Sequence, residues 1–457
     1  MYYKSGRLLV ILFAIPSFLT MTTGAWLFTI ERPAFYWFGL PSVFLIVYLG
    51  CHYLGVAIWG KDFSPEAHAE IVRASEQRGS QPIVDVFLPV CKEPVYLLAN
   101  TWKHVSALDY TNIRVHVLDD GNEEKVKALA EAFGFNYIVR PDRPLLKKAG
   151  NLRHAFTQTS GDAIAIFDAD FCPRPDFLRE TVPYLDHDES IGIVQTPQYF
   201  RYRQEQTWIE QGAGMTQEFF YRLIQVNQDR FHASVCVGSC GLYRRSALAP
   251  FGGMAAISHS EDMYTGFKMT EHGYRIKYVP LPLAMGTCPD EPQSFFMQQY
   301  RWAMGSATLV LEKEFWRSNV SSIHKLCFLN GLLYYVATSL MLFLTPIPFL
   351  MLVWINADNI LWYHAGFALP SIAFVTVVMP GWCTQRYGMA CHRVRVIQWY
   401  VVRTRHLDRL MGRSAPWVPS GTGASKGMSA TYKSSVRLLV VWNVLSTALV
   451  VGGCILR

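Results

Sequence analysis

The chain holds 457 residues, of which 51% are hydrophobic and 17% charged. That length exceeds one ordinary domain, and so apolar a composition excludes a purely soluble protein. The formal net charge of +7 suits anionic lipid head groups and an anionic substrate; no nucleic-acid motif accompanies it, and nucleic acid is not expected as a partner.

Apolar blocks over 8–30 and 36–59 each approach the ~20 residues a membrane helix needs. The first exceeds a signal-peptide core, lacks a small-residue cleavage site and is followed at once by the second, so it reads as an anchor. Residues 1–60 are therefore expected to form two transmembrane helices. Residues 61–320 turn to globular composition. The ten cysteines are scattered and expected to be reduced. Cys236-Val-Gly-Ser-Cys240 has no second Cys/His pair at zinc-finger spacing, so zinc is not expected.

Within the globular part, Val84–Val90, Arg114–Leu118, Asn136–Val139 and Ala163–Phe167 read as buried strands. Helical stretches such as Asn122–Phe133 and Gly150–Thr159 separate them. This alternation predicts an α/β fold with a mostly parallel, open sheet. Such sheets bind ligands beyond the carboxyl ends of their strands. Pro89–Glu93, Asp119-Asp120-Gly121, Lys147–Asn151 and Asp168-Ala-Asp170 each follow one strand, so four strand ends converge on one crevice. Asp-x-Asp alone is also explained by a pair of turn acids. In this crevice Asp168 and Asp170 can hold a divalent cation, with a diphosphate on its other side and Lys147 or Lys148 nearby. Hard carboxylate oxygens suit Mg²⁺ or Mn²⁺.

Ser258-His-Ser-Glu-Asp262 precedes a helix predicted over Met263–His272. Ser260 reads as its N-cap, with acids favoured by the helix dipole. Asp262, with Glu261 beside it, can equally accept a hydroxyl proton, because a capped acid stays ionised. Gln298-Gln-Tyr-Arg301-Trp302 has two readings. One is an amphipathic interfacial helix with Trp at the lipid boundary. The other uses Trp302 as a stacking platform for a sugar and Arg301 for diphosphate charge.

Apolar blocks over 326–355 and 360–382 predict two transmembrane helices within 321–384, and 436–456 a last one within 431–457. Between them, 385–430 holds an interface helix and a loop. Val394, Ile397 and Val401 share one helical face while Arg393, Arg395, Arg403 and Arg405 are polar, which predicts a helix lying on the membrane. Gly, Ser and Pro over Trp417–Gly427 predict a mobile connector or a lid over the nucleotide. The short loops near Glu31-Arg32 and Asn356–Asp358 carry one cation and none, whereas Gln385–Arg413 is rich in arginine. The globular part and the arginine segment are thus expected in the cytosol, and an odd number of spans puts the C-terminus outside.

In order, these motifs resemble the processive, membrane-embedded family 2 glycosyltransferases, which include cellulose, curdlan, chitin and hyaluronan synthases. The resemblance runs from Val84 to Gly427 through D, D-x-D, (S/T)ED and Q-x-x-RW. "KAGNLR", "VQTPQYF", "QEFFYRLIQ" and "VGSCGLYRRSAL" support it. It implies a GT-A-like cytosolic domain set among transmembrane helices of the plasma membrane. It implies that Glu93 and Asp120 hold uridine, that Asp119 supports the turn, and that Lys148 and Asn151 line the nucleotide site. Asp168 and Asp170 would frame the diphosphate, with Asp170 in contact with metal. Asp262 would be the general base, with Glu261 adjacent. Gln298, Arg301 and Trp302 would flank the terminal sugar, and Val237-Gly238-Ser239 the acceptor at the channel mouth. Trp417, Val418, Ser420, Thr422 and Lys426 look like a gating loop, although Trp-Val-Pro-Ser departs from the Phe-x-Val-Thr of bacterial cellulose synthases.

The resemblance implies an inverting synthase that polymerises a UDP-sugar and exports the chain through its own channel. "HSEDMYTGFKMTEHGYRIKY" is nearer to the cellulose and curdlan branch, which favours UDP-glucose and a β-1,4- or β-1,3-glucan. UDP-GlcNAc chemistry of the chitin or hyaluronan type, and single-sugar transfer to a polyprenyl phosphate, are the alternatives. The growing polysaccharide, membrane lipids and a second copy or accessory subunit are the expected partners.

Overall fold

The computed structural model describes every residue except 1, 5, 32, 61, 80, 356, 358–364, 414–428 and 457. Strand β1 (Val84–Val90) is buried almost throughout, as a strand covered on both faces must be. Its acid, Asp85, lies in the sheet interior, where Arg245 (2.8 Å), the Gly161 N–H (2.7 Å) and His116 (3.2 Å) meet it. Parallel to β1 run β2 (Ile113–Asp119) on one side and β4 (Ala163–Ile166) on the other, with β3 (Asn136–Ile138) beyond β2. Three short strands, β5 (Phe171–Pro173), β7 (Tyr199–Phe200) and β10 (Ala284–Gly286), form a separate small sheet. The main sheet continues through β6 (Ile191–Gln195), β8 (Gly241–Arg244) and β9 (Arg275–Tyr278) in the order β3-β2-β1-β4-β8-β6-β9. Only β8 runs against its neighbours, so the sheet is mostly parallel, as the strand–helix alternation predicts.

Among the described residues, four helices are long and apolar enough to cross a membrane: Arg7–Ile30, Pro33–His52, Ser322–Ile355 and Ala430–Leu456. They carry large apolar side chains on the outside, such as Leu40 (81% exposed) and Ile455 (77%). Rows of this kind have no place in water, and the chain is a membrane protein. Of the block expected over 360–382, Gly366–Trp382 is apolar helix, and 360–364 lie outside the described residues.

The helix Ala390–Leu410 has its apolar face covered by protein. Val394 is buried in the main core, and Val401 packs with Phe296, Met297 and Tyr300. The reason is local: a Cβ on Gly212 would stand 2.4 Å from Val394 Cγ1, so only glycine lets this helix approach the domain so closely.

Candidate active site

Each strand end delivers one group. At the end of β2, Asp119 is fully buried and shapes the turn. Its carboxylate accepts from the N–H of Gly121 (2.7 Å), the N–H of Glu123 (2.9 Å) and the Tyr137 hydroxyl (2.7 Å). Asp120 follows and faces Arg140, whose Nε and Nη2 each donate to one carboxylate oxygen at 2.7 Å. Arg140 is itself fully buried and also donates to the carbonyls of Leu145 (2.5 Å) and Lys147 (3.0 Å). After β1, Glu93 accepts the Cys91 N–H at 2.5 Å. Burial, and then the charges of Asp168 and Asp170, push its carboxyl up to about 7 against the pull of that N–H.

Of the two lysines, both of which line the site's cavity, Lys148 is the one that reaches Asp168. Lys148 Nζ stands 2.5 Å from Asp168 Oδ1 and 3.0 Å from the Gly238 carbonyl. Burial opposes its charge, but Asp168 and Glu261 outweigh burial and raise its ammonium. Asp168 thus pairs directly with Lys148. Asp170 is the acid under strain: burial, then Asp168, pushes its carboxyl up to about 7.

Asp262 sits in the first turn of the helix Glu261–Glu271. Ser260 does stand at the cap position, but it does not cap. Its backbone is left-handed (φ 58°) and its hydroxyl makes no cap bond, because that backbone turns the side chain toward Gly305, whose Cβ would lie 2.6 Å from it. The turn instead brings Asp262 against the loop Val237–Ser239. A Cβ on Gly238 would stand 2.8 Å from Asp262 Cβ, and Gly238 has φ +75°, a conformation that glycine adopts without penalty. Burial, and next the charge of Glu261, raise the Asp262 carboxyl. Gln298, Arg301 and Trp302 lie at i, i+3 and i+4 of the helix Pro292–Val310, hence on one face. Burial lowers the Arg301 guanidinium, while Asp170 and Asp168 hold it up.

One cavity of about 1080 Å³ gathers these groups. Glu93, Asp120, Lys148, Asn151, Asp168 and Asp170 line it, and so do Val237, Glu261, Asp262, Gln298, Arg301 and Trp302. It continues among the membrane helices, past Tyr48 and His52 of the second and Asn330, Tyr334, Ala337 and Met341 of the third. Asp119, Gly238 and Ser239 stand outside that lining. Ser239 is fully buried and its hydroxyl accepts the Asp168 N–H at 2.9 Å, so it holds the Asp-x-Asp turn rather than facing the space.

Residues 85–251 match the profile of glycosyl transferase family 2. The chain carries a family 2 glycosyltransferase domain. It is 33% identical over 260 residues to the cellulose synthase catalytic subunit (UDP-forming) of Xanthomonas axonopodis pv. citri, covering 56% of this chain and 36% of that one. It is 33% identical over 280 residues to cellulose synthase 2 of Novacetimonas hansenii, covering 59% and 17%. The chain therefore spans well under half the length of these relatives. A mannosyltransferase of Pyrobaculum calidifontis, solved with GDP-Man and Mn²⁺, superposes with a TM-score of 0.56 at 16% identity, over 81% of this chain and 99% of that one. That likeness is one of fold, and the fold of the glycosyltransferase domain is GT-A-like.

Two features of the glycosyltransferase domain escaped sequence reading. Arg140 follows β3 as the acids follow their strands, and that position was the available signal. Gly150 sits where a Cβ would meet Leu145 O at 2.2 Å and Arg140 Nη1 at 2.3 Å, which explains the glycine of "KAGN". Trp417, Val418, Ser420, Thr422 and Lys426 lie outside the described residues. Among the described residues, no three acids, histidines or cysteines group closely enough to hold a metal by themselves. Mg²⁺-type sites use one or two carboxylates plus substrate phosphates, and the half-buried, charge-crowded Asp170 beside Asp168 fits that donor set.

Proposed function

We propose that this chain is a processive, inverting glycosyltransferase that polymerises UDP-glucose into a β-glucan and passes the product between its own membrane helices. The observation that carries the reading is the continuity of the cavity. One space runs from Asp170 and Asp262 to Tyr334 and Met341. An enzyme that adds one sugar and releases it has no need of such an exit. The UDP-forming cellulose synthase relatives support the donor and the polymer.

The chemistry follows from the side chains. Ionised Asp262 takes the proton of an acceptor hydroxyl. That oxygen attacks C1 of the donor sugar as the C1–O bond to the diphosphate breaks, so one displacement turns an α-linked donor into a β-linked product. Lys148 and Arg301 stabilise the charge that builds on the leaving diphosphate. Asp170 and Asp168 would hold Mg²⁺ or Mn²⁺, which supplies further neutralisation of that charge when bound. Glu93 and Asp120 hold the uridine, Asn151 lines the nucleotide site, and Trp302 with Gln298 supports the acceptor sugar. In this reading the glycosyltransferase domain lies in the cytosol and the helix Ala430–Leu456 ends outside.

The decisive experiment uses the purified chain in lipid with UDP-glucose and Mg²⁺ or Mn²⁺. UDP release with an insoluble product cut by a β-1,4- or β-1,3-specific glucanase is expected, and the glucanase reports the linkage. A single sugar on a lipid carrier, or UDP release only from UDP-GlcNAc, would overturn the reading.

A further inference from the structure

Part of the cavity wall is a π-helix, Phe220–Gln225. Such turns are rare and recur at functional sites. Phe220, Tyr221 and Ile224 line the cavity. Gln225 is fully buried and binds elsewhere: its amide donates to the Val235 carbonyl (2.7 Å) and its carbonyl accepts the Val235 N–H (2.8 Å). Val235 opens the loop whose Gly238 packs on Asp262. The π-helix therefore sets where that loop stands.

The same π-helix carries a buried cation, Arg222. Its guanidinium meets Glu218 at 2.5 Å and donates to the carbonyls of Tyr2 (3.1 Å), Lys4 (2.7 Å) and Trp382 (3.1 Å). It also stands 4.3 Å over the Trp382 ring. Glu218 accepts the Thr384 N–H at 2.5 Å. Residues 2–4 lead into the helix Arg7–Glu31, and 382–384 leave the helix Gly366–Trp382. An apolar cluster of Val10, Ala14, Leu223, Phe374 and Trp382 closes the same joint. A buried ion pair is weak evidence for stability, since well-packed apolar residues of similar volume often serve as well. What this pair adds is direction: it fixes the ends of two apolar helices, Arg7–Glu31 and Gly366–Trp382, to one turn of the cavity wall.

We infer that Glu218 and Arg222 are positioning residues for the acceptor side of the reaction. They register the helices Arg7–Glu31 and Gly366–Trp382 on the π-helix, and through Gln225 they hold the loop Val235–Ser239 against Asp262. They touch neither donor nor acceptor. The inference rests on the glycan-synthase reading for what the loop faces, but the mechanical coupling can be tested without it.

The test is the pair replacement Glu218→Leu with Arg222→Met, which leaves no lone buried charge, studied in the full chain in lipid beside Gln225→Met. Hydrogen exchange of the amides over 235–239 is expected to rise about tenfold or more in the pair variant, as a local opening would. UDP affinity and KM for UDP-glucose are expected within about twofold of wild type, while kcat falls about tenfold or more and products shorten. Gln225→Met is expected to reproduce that kinetic split with the ion pair intact. Unchanged exchange over 235–239 in the pair variant overturns the inference. So does wild-type kcat and product length, or an equal loss of UDP affinity and turnover. If the pair variant does not fold, Gln225→Met decides by product length, and a wild-type length overturns it. Wild-type protein that releases no UDP from UDP-glucose sinks the donor reading alone, because the exchange experiment needs no substrate.

Discussion

In the proposed reaction Asp262 carries the heaviest chemical demand of any residue, and its surroundings set its pH dependence. Burial, then Glu261, raises its carboxyl. A base works only when ionised, so turnover falls as pH drops, and the acid limb of kcat lies above the ordinary aspartate value of about 3.9. Glu261→Gln removes the neighbouring charge and is expected to move that limb to lower pH, read from a kcat–pH profile. Asp262→Asn is expected to cost about 10²–10⁴-fold in turnover while UDP still binds, as calorimetry would show. Retained turnover would refute the assignment. In the proposed function Arg140 belongs to the donor side, through its pairing with Asp120. Lysine keeps the charge but not the fork that grips both oxygens of Asp120. Arg140→Lys is expected to weaken UDP binding about tenfold with kcat nearly unchanged. The acids were legible one by one as strand-end residues. Their partners were not, because a single sequence does not say that Arg140 reaches back to Asp120 or that Lys148, rather than Lys147, reaches Asp168.

At the scale of elements, β1 to β4 declared themselves through continuous apolar runs, and their boundaries moved only by a residue or two, whereas β5 to β10 were not read from the sequence. The helix entry at Ser260 was misread because Ser before Glu-Asp is what a capped helix start looks like. The left-handed backbone there answers to Gly305 and Gly238, which lie far along the chain. Gly238→Ala tests that junction. The added methyl meets Asp262 at 2.8 Å on a backbone with φ +75°. Turnover is expected to fall about a hundredfold from a small displacement of the base, with a stability loss of only about 1–2 kcal/mol, measured by thermal unfolding. A variant with normal turnover would show that the loop has room to yield. The helix Ala390–Leu410 teaches the converse. Its amphipathic pattern is real, but the pattern does not say whether lipid or protein covers the apolar face. Gly212 decides for protein by removing the side chain that would hold the helix off.

At the scale of the whole molecule, the cavity joins the glycosyltransferase domain to the membrane helices. Ala337 lines it within the helix Ser322–Leu344. Ala337→Trp is expected to leave UDP affinity unchanged yet stop the reaction after short products, seen as an early burst of UDP release followed by arrest. Long products from that variant would mean that the chain leaves by another route. The sequence by itself determined which segments are apolar enough for membrane, which alternate into a parallel sheet, and which acids stand at strand ends, because each leaves a local trace in spacing or composition. Only the tertiary structure decided which of those groups face one space. Asp120 and Val237 do, while Asp119 and Ser239 stand behind the wall. Only the tertiary structure joined Arg222 to Tyr2, 220 positions away. Contacts at such separations depend on how whole elements pack, and packing leaves no period for one sequence to display.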